Sequence, residues 1–356
     1  MLQNVPVGTP VVGTPVVGVP ASNQGSSQGR KPQVDGWPPG LMATMTASLQ
    51  SFPARFVIVD NSGSMMAQDG ARLVKAPGGS LKMVQTTRWA ELGDVVRDMS
   101  MLATAIGSPT HFHLLNPDQH GQFFTVADTG RSCIKRAAGG GSAKELEQAM
   151  LTCSRYSTPL TQAVQQIHSQ VAPAAAQLAA KGQQVVLVLC TDGRPDEPPS
   201  FLRALQELQR LPVWVVVRLC TSDADIVDYW SDLDKSLERP LEVLDDVAGE
   251  AQEVHKKNPW LTYAPALHLA RTMGLQDKLF DLMDETALLP SQAKQLCERI
   301  LGCGELPEPE VDPEGFRTVL REALTRLPPV YSPVKQAMAP WVDVDKVLGG
   351  GACIVS

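Results

Sequence analysis

Three separated stretches carry side chains that could do chemistry together. In Asp60-Asn61-Ser62-Gly63-Ser64 one carboxylate and two hydroxyls alternate along a short, glycine-containing turn. Ser157-Thr158-Pro159 opens a segment of helical apolar spacing, and Cys190-Thr191-Asp192-Gly193 ends a second apolar run on another acid. These side chains are hard oxygen donors, a set that suits Mg²⁺ or Mn²⁺ and not zinc. Asp60, Ser62, Ser64, Thr158 and Asp192 are therefore the candidate metal residues. Asp, Ser and Thr also close turns and cap helices; it is the coincidence of all five in three places that favours a cation.

The elements that must position them follow from hydrophobic spacing. Residues 56–59 and 185–189 are continuous, largely β-branched apolar runs, as expected of strands buried on both faces of a parallel sheet. Such strands end on one edge, where open α/β sheets bind ligands, so neighbouring strands would bring Asp60 and Asp192 together. Between them the pattern predicts a helix over 89–106, a hairpin of strands 110–115 and 122–126, a capped helix over 142–151 and a helix after Thr158 with a break at Pro173. Helix 200–210, strand 213–219, helix 224–237 and strand 241–244 continue the alternation of a doubly wound fold. Beyond residue 259 the spacing is helical only, over 261–273, 275–285, 291–301 and 313–327, with Asp277, Ser291 and Asp312 as caps or near-caps.

The three-part motif, in this order, resembles that of a von Willebrand factor type A domain with its metal-ion-dependent adhesion site, over roughly 200 residues in mid-chain. The resemblance implies an α/β fold: a doubly wound, mostly parallel central sheet with one antiparallel edge strand and helices on both faces, here with a C-terminal helical extension. It also implies that Ser62 and Ser64 touch the ion directly, Thr158 does so when ligand is bound, and Asp60 and Asp192 do so directly or through water. Neutral hydroxyls would leave the ion electrophilic, ready for a carboxylate from a protein partner. The segment from Ala67 to Thr87 is long for the family and should form a loop or short hairpin bordering the site.

Composition narrows the function classes. The 356 residues include 43% hydrophobic ones and carry a net charge of −7 without a long Lys/Arg cluster, which argues against a nucleic-acid partner. Seven cysteines show no C-x-x-C and no signal peptide precedes them, so reduced thiols in the cytoplasm are expected. Residues 1–50, with Val-Gly-Thr-Pro-Val repeats, read as a disordered tail; 53–256 as the type A domain; 257–330 as the helical extension; and 331–356 as a flexible tail. That tail ends in Cys353-Ile354-Val355-Ser356, a C-a-a-X pattern favouring farnesylation of Cys353. With no polybasic run beside it, one prenyl chain would give only weak association with the cytoplasmic face of a membrane. His111, His113 and His120 could be imagined as zinc ligands but lack a fourth at fixed spacing and read as packed or exposed histidines. Asp223, Asp225 and Asp228 suit a helix start.

The expectation is thus a non-enzymatic, cation-dependent protein-binding adaptor. A metal-dependent hydrolase or phosphotransferase is the alternative class, lacking a nucleophile elbow or phosphate-binding loop. A structural scaffold with a silent site is the third.

Overall fold

The computed structural model describes residues 34–76, 81–128, 130, 134, 140–154 and 156–349. The Val-Gly-Thr-Pro-Val repeats and Cys353 lie outside them. In chain order the elements are α1 (Pro39–Ala47), β1 (Arg55–Val59), β2 (Gly70–Lys75), β3 (Leu81–Thr86), α2 (Arg88–Ile106), β4 (Thr110–Asp118) and β5 (Gly121–Val126). Then come α3 (Ala143–Ala149), α4 (Leu160–Val171), α5 (Ala175–Ala180), β6 (Val185–Thr191), α6 (Pro198–Gln209), β7 (Val213–Leu219), α7 (Ala224–Lys235) and β8 (Glu242–Leu244). The chain closes with α8 (Val247–Lys257), α9 (Pro265–Thr272), α10 (Lys278–Glu285), α11 (Pro290–Leu301), α12 (Pro313–Thr325), β9 (Val330–Ser332) and β10 (Ala337–Ala339).

Six strands form the central sheet in the order β5-β4-β1-β6-β7-β8, all parallel except β5, the antiparallel edge. β1 and β6 are buried along their whole length because both sheet faces are covered. Val57, Val59, Val186, Val188 and Cys190 face α2 and the C-terminal helices, while Phe56, Ile58, Leu187 and Leu189 face α4, α6 and α7. Period-two alternation with apolar residues on both faces is what makes each run read as continuous. Within the expected insert 67–87, β2 and β3 pair antiparallel, and α2 begins where the Thr87 hydroxyl accepts from the Ala90 amide at 3.0 Å. Asp277 and Asp312 cap α10 and α12 as expected; Ser291 does not cap α11, whose N-terminal turn is closed instead by Gln292 reaching back to the Leu289 amide.

Three segments differ from the sequence reading, and the structure places the helical extension, whose packing the sequence left open. The tail expected through residue 50 ends in a docked helix: Leu41, Met42 and Met45 of α1 are buried, and α1 crosses α11 so closely that a Cβ on Gly40 would lie 2.3 Å from the Gly302 nitrogen. Helix α8 was not legible, since it buries only Glu250, Ala251 and Val254 among polar residues. The expected tail from 331 is held by β9–β10 pairing and by buried Trp341, Val342, Val344 and Val347, with the Thr262 amide donating to Trp341 O at 3.0 Å. Finally, the helical extension packs on the sheet itself. Arg55, the first residue of β1 and fully buried, donates to Met273 O at 2.8 Å, to Ser108 Oγ at 2.6 Å and to Ser48 Oγ at 2.8 Å. With no carboxylate among these partners, burial pushes its guanidinium down to about 10.

A second buried guanidinium organises the junction of β8, α8, α9 and α10. Arg271 bonds Glu250 at 2.7 Å, Asp284 at 2.8 Å and Glu242 at 2.9 Å. Three carboxylates on one cation leave excess negative charge in a poorly solvated place. Burial, partly offset by Arg271 and reinforced by Asp284, pushes Glu250 up to about 7.

Two outcomes are expected. Replacing Gly40 with Ala should lower stability to denaturant by about 1–3 kcal/mol, the usual cost of forcing atoms into a packed crossing; an unchanged midpoint would mean that α1 is not docked. Because folded Glu250 keeps its proton to about pH 7 while an unfolded glutamate releases it near 4.5, the folded state is favoured at low pH. Glu250 should therefore contribute a loss of on the order of 2 kcal/mol as pH rises from 5 to 8, against the opposite contribution of His113 and His268, which burial holds neutral. Glu250→Gln should remove that contribution, so that its stability relative to the parent rises across this range; a constant difference between the two would place the proton elsewhere.

Candidate functional site

The β1–β6 register decides what meets at the carboxyl edge. Val59 pairs with Cys190, and the Asp60 amide donates to Cys190 O at 2.9 Å. The chain then turns sharply, and Asp60 Oδ1 accepts from the Ser62 amide at 2.9 Å. Ser62 Oγ lies 3.1 Å from Ser64 Oγ, and Ser64 Oγ donates to Asp192 Oδ1 at 2.8 Å. Four of the five candidate residues thus form one connected oxygen cluster. Asp60, Ser62 and Asp192 are buried, whereas Ser64 faces solvent.

Thr158 stands differently. Its hydroxyl joins none of the other four by a hydrogen bond; the loop is brought alongside by its backbone. Gly63 N donates to Tyr156 O at 3.2 Å, and Thr158 N donates to Asp196 Oδ1 at 3.1 Å while Asp196 N returns a bond to Thr158 O at 3.3 Å. The threonine loop is therefore pinned between the Ser62–Ser64 turn and the segment after Asp192.

Several contributors were not singled out from the sequence. Thr191 donates its hydroxyl to Asp60 Oδ2 at 2.6 Å, so both Asp60 oxygens are occupied by neutral donors. Burial nevertheless raises Asp60 above the usual carboxylate range, against the lowering effect of Ser62 and Thr191 and with Asp192 adding to the rise. Asn61 clasps β4 through Asn116, donating to its carbonyl and accepting from its amide, each at 2.8 Å; Asn116 Nδ2 in turn donates to Ser157 O at 3.0 Å. The least expected contributor is Arg88. Its Nη1 donates to Asp192 Oδ2 at 2.8 Å, and Nε and Nη2 clamp Asp69 at 2.7 and 2.5 Å. A cation in the first turn of α2 opposes the helix dipole, and that misplacement was the signal available in the sequence.

The cluster fits a small hard cation. Adjacent ligands of an octahedral ion with bonds near 2.1 Å stand about 3.0 Å apart, close to the 3.1 and 2.8 Å separations around Ser64. Asp60 is a buried carboxyl without a positive partner among the described residues. Among the described residues no group of three or more His, Cys, Asp or Glu is placed to hold a metal, so a site here depends on hydroxyls with two acids. The same finding leaves His111, His113 and His120 outside any such group. Asp223 simply caps α7, accepting from the Asp225 amide at 2.9 Å.

No family model matches the chain, and no curated protein matches it. Among solved structures, proximal thread matrix protein 1 from the mussel byssus aligns at 12% identity and a TM-score of 0.28, covering 47% of this chain and 38% of its own. Manganese-loaded Plasmodium vivax TRAP protein aligns at 10% identity and a TM-score of 0.29, covering 55% of this chain and 69% of that one. Likenesses this slight carry no weight for the site, whose reading rests on its own geometry.

Asp192 has a fully buried side chain with Arg88 as its cation, while Asp69 is 51% exposed. Arg88→Met should therefore cost about 3 kcal/mol in chelator, the penalty of stranding a buried charge, and Asp69→Asn less than about 1 kcal/mol. Equal effects in urea unfolding would show that Asp192 does not depend on Arg88.

Proposed function

We propose that this chain is a divalent-cation-dependent protein-binding module of the von Willebrand factor type A kind, without catalytic activity of its own. The observation that carries the reading is the convergence of Asp60, Ser62, Ser64 and Asp192 on one connected oxygen cluster at the carboxyl edge of a parallel sheet. A bound Mg²⁺ or Mn²⁺ would supply a Lewis-acidic point to which an acidic residue of a partner protein could bind.

The chain's own residues set how strong that point would be. Ser62 and Ser64 offer neutral oxygens, and Thr191 and the Ser62 amide orient the Asp60 carboxylate. Arg88 offsets the charge of Asp192. The donor set is thus less negative than two free carboxylates would make it, which favours recruitment of an external acid over self-saturation. Thr158, on a loop held by backbone bonds rather than through its hydroxyl, is the residue free to turn inward when ligand arrives. Exposed Met66 and Tyr156 flank the cluster on the two loops nearest it, giving the partner apolar surface beside its acid.

Calorimetric titration of the chelator-treated protein with Mn²⁺ should show one saturable site. Asp60→Ala and Ser64→Ala should each weaken it at least about tenfold, the loss of one direct or orienting oxygen partner. Affinity unchanged in both variants would overturn the metal site, and with it the adaptor reading.

A further inference from the structure

Away from the oxygen cluster, a cavity of about 200 Å³ lies beneath the β2–β3 hairpin. Its apolar wall comes from Leu73 and Val74 of the hairpin, Val95 of α2, Val247 of α8 and Leu269 of α9. Among the described residues, Arg97 Nε, Arg218 Nε and His268 Nε2 are buried and have no hydrogen-bond partner, and all three residues line this one cavity. Arg218 is 1% exposed and His268 5%. Buried donors are almost always paired, and stranding one costs about 1–3 kcal/mol, so three around one space call for an acceptor.

The remaining valences of these groups are already used. Arg218 gives Nη2 to Glu91 Oε1 at 2.9 Å and Nη1 to Cys220 Sγ at 3.3 Å. His268 Nδ1 faces the Tyr263 hydroxyl at 3.1 Å. Burial holds the ring neutral; with the Tyr263 hydroxyl donating to Nδ1, the ring hydrogen sits on Nε2, which is then a donor. Among the cavity's ion pairs, Arg72 and Arg97 share the single carboxylate of Asp94, so guanidinium charge exceeds its partners. Asp98 is the other acid lining the space, and burial pushes it up to about 6.

We propose that this cavity is a binding site for a small monocarboxylate with an apolar body, its carboxylate accepting from Arg218 Nε, His268 Nε2 and Arg97 Nε and its hydrocarbon part lying against Val95, Leu73 and Leu269. The volume sets the size: a dry cavity of about 150 Å³ takes benzene, so this one suits an acid of about six to eight heavy atoms. Ordered water is the competing occupant.

The test is calorimetric titration of the full chain with sodium hexanoate at pH 5.5, where Asp98 carries its proton, using hexylamine as the cationic control. Hexanoate should bind saturably and raise the melting temperature, and hexylamine should do neither. His268→Phe should weaken hexanoate at least about tenfold, as expected for a lost bond to a charged acceptor. Val95→Phe should abolish binding by filling the space; should that variant not melt cooperatively, Leu73→Phe on the half-buried hairpin wall decides instead. No saturable hexanoate binding, equal binding of hexylamine, or binding untouched by either filling variant would overturn the proposal and leave the cavity to water.

Discussion

The parallel pairing of β1 with β6 is the constraint on which the remaining structure depends. With Val59 opposite Cys190, the last backbone bond of the pair is Asp60 N to Cys190 O, and the next residue on each strand enters the cluster. A slip of one residue would exchange the two faces of β1, setting Phe56 and Ile58 where Val57 and Val59 now lie. It would also carry Asp60 away from the Thr191 hydroxyl that orients it. Burial on both faces is what forbids the slip, so the same apolar packing that stabilises the sheet also sets the position of the oxygen donors.

Buried charge then fixes how the layers sit. Arg55 ties β1 to the end of α9 through neutral acceptors, Arg218 of β7 reaches Glu91 of α2, Arg271 of α9 gathers acids from β8, α8 and α10, and Arg88 of α2 holds Asp192. Replacing such pairs with apolar side chains would often be neutral or better for stability. What they supply is direction: a guanidinium accepts one geometry of partners, whereas an apolar contact tolerates several. The C-terminal helices are therefore not a separate appendage. They cover one sheet face, and Gly274, at φ +81°, lies so near Val186 that a Cβ would come within 2.6 Å of its methyls.

What the sequence disclosed and what it hid divide along the range of the interactions. Strands β1, β6 and β7 were legible because local runs report burial on both faces, and α2, α4 and α6 because their apolar spacing is complete within the helix. The edge hairpin β4–β5, the Ser142–Glu145 capping box and the Thr-Asp-Gly turn were equally local. Helix α1 was hidden because Pro38, Pro39 and Gly40 read as a break, while its stability comes from contact with α11 about 260 residues away. The final segment was hidden for the same reason, its Pro- and Gly-containing sequence being anchored by Trp341 and Val342 against residues near 260. At the site, the donors lay in motifs, but Arg88 and Asp69 belong to no motif and meet Asp192 only through the fold.

The first turn of α2 joins the oxygen cluster to the cavity. Arg88 faces Asp192, and one turn on Glu91 accepts from Arg218 at 2.9 Å and from the Ala71 amide at 2.9 Å. Asp94, a further turn along, takes both guanidiniums of Arg72 and Arg97. The β2–β3 hairpin is bound to the same helix at Asp69, Ala71 and Arg72, so it roofs the cavity and supplies the counter-charge for the site's arginine at once. The hairpin after Ser64 thus ties the roof of the cavity and the counter-charge of the oxygen cluster to successive turns of one helix.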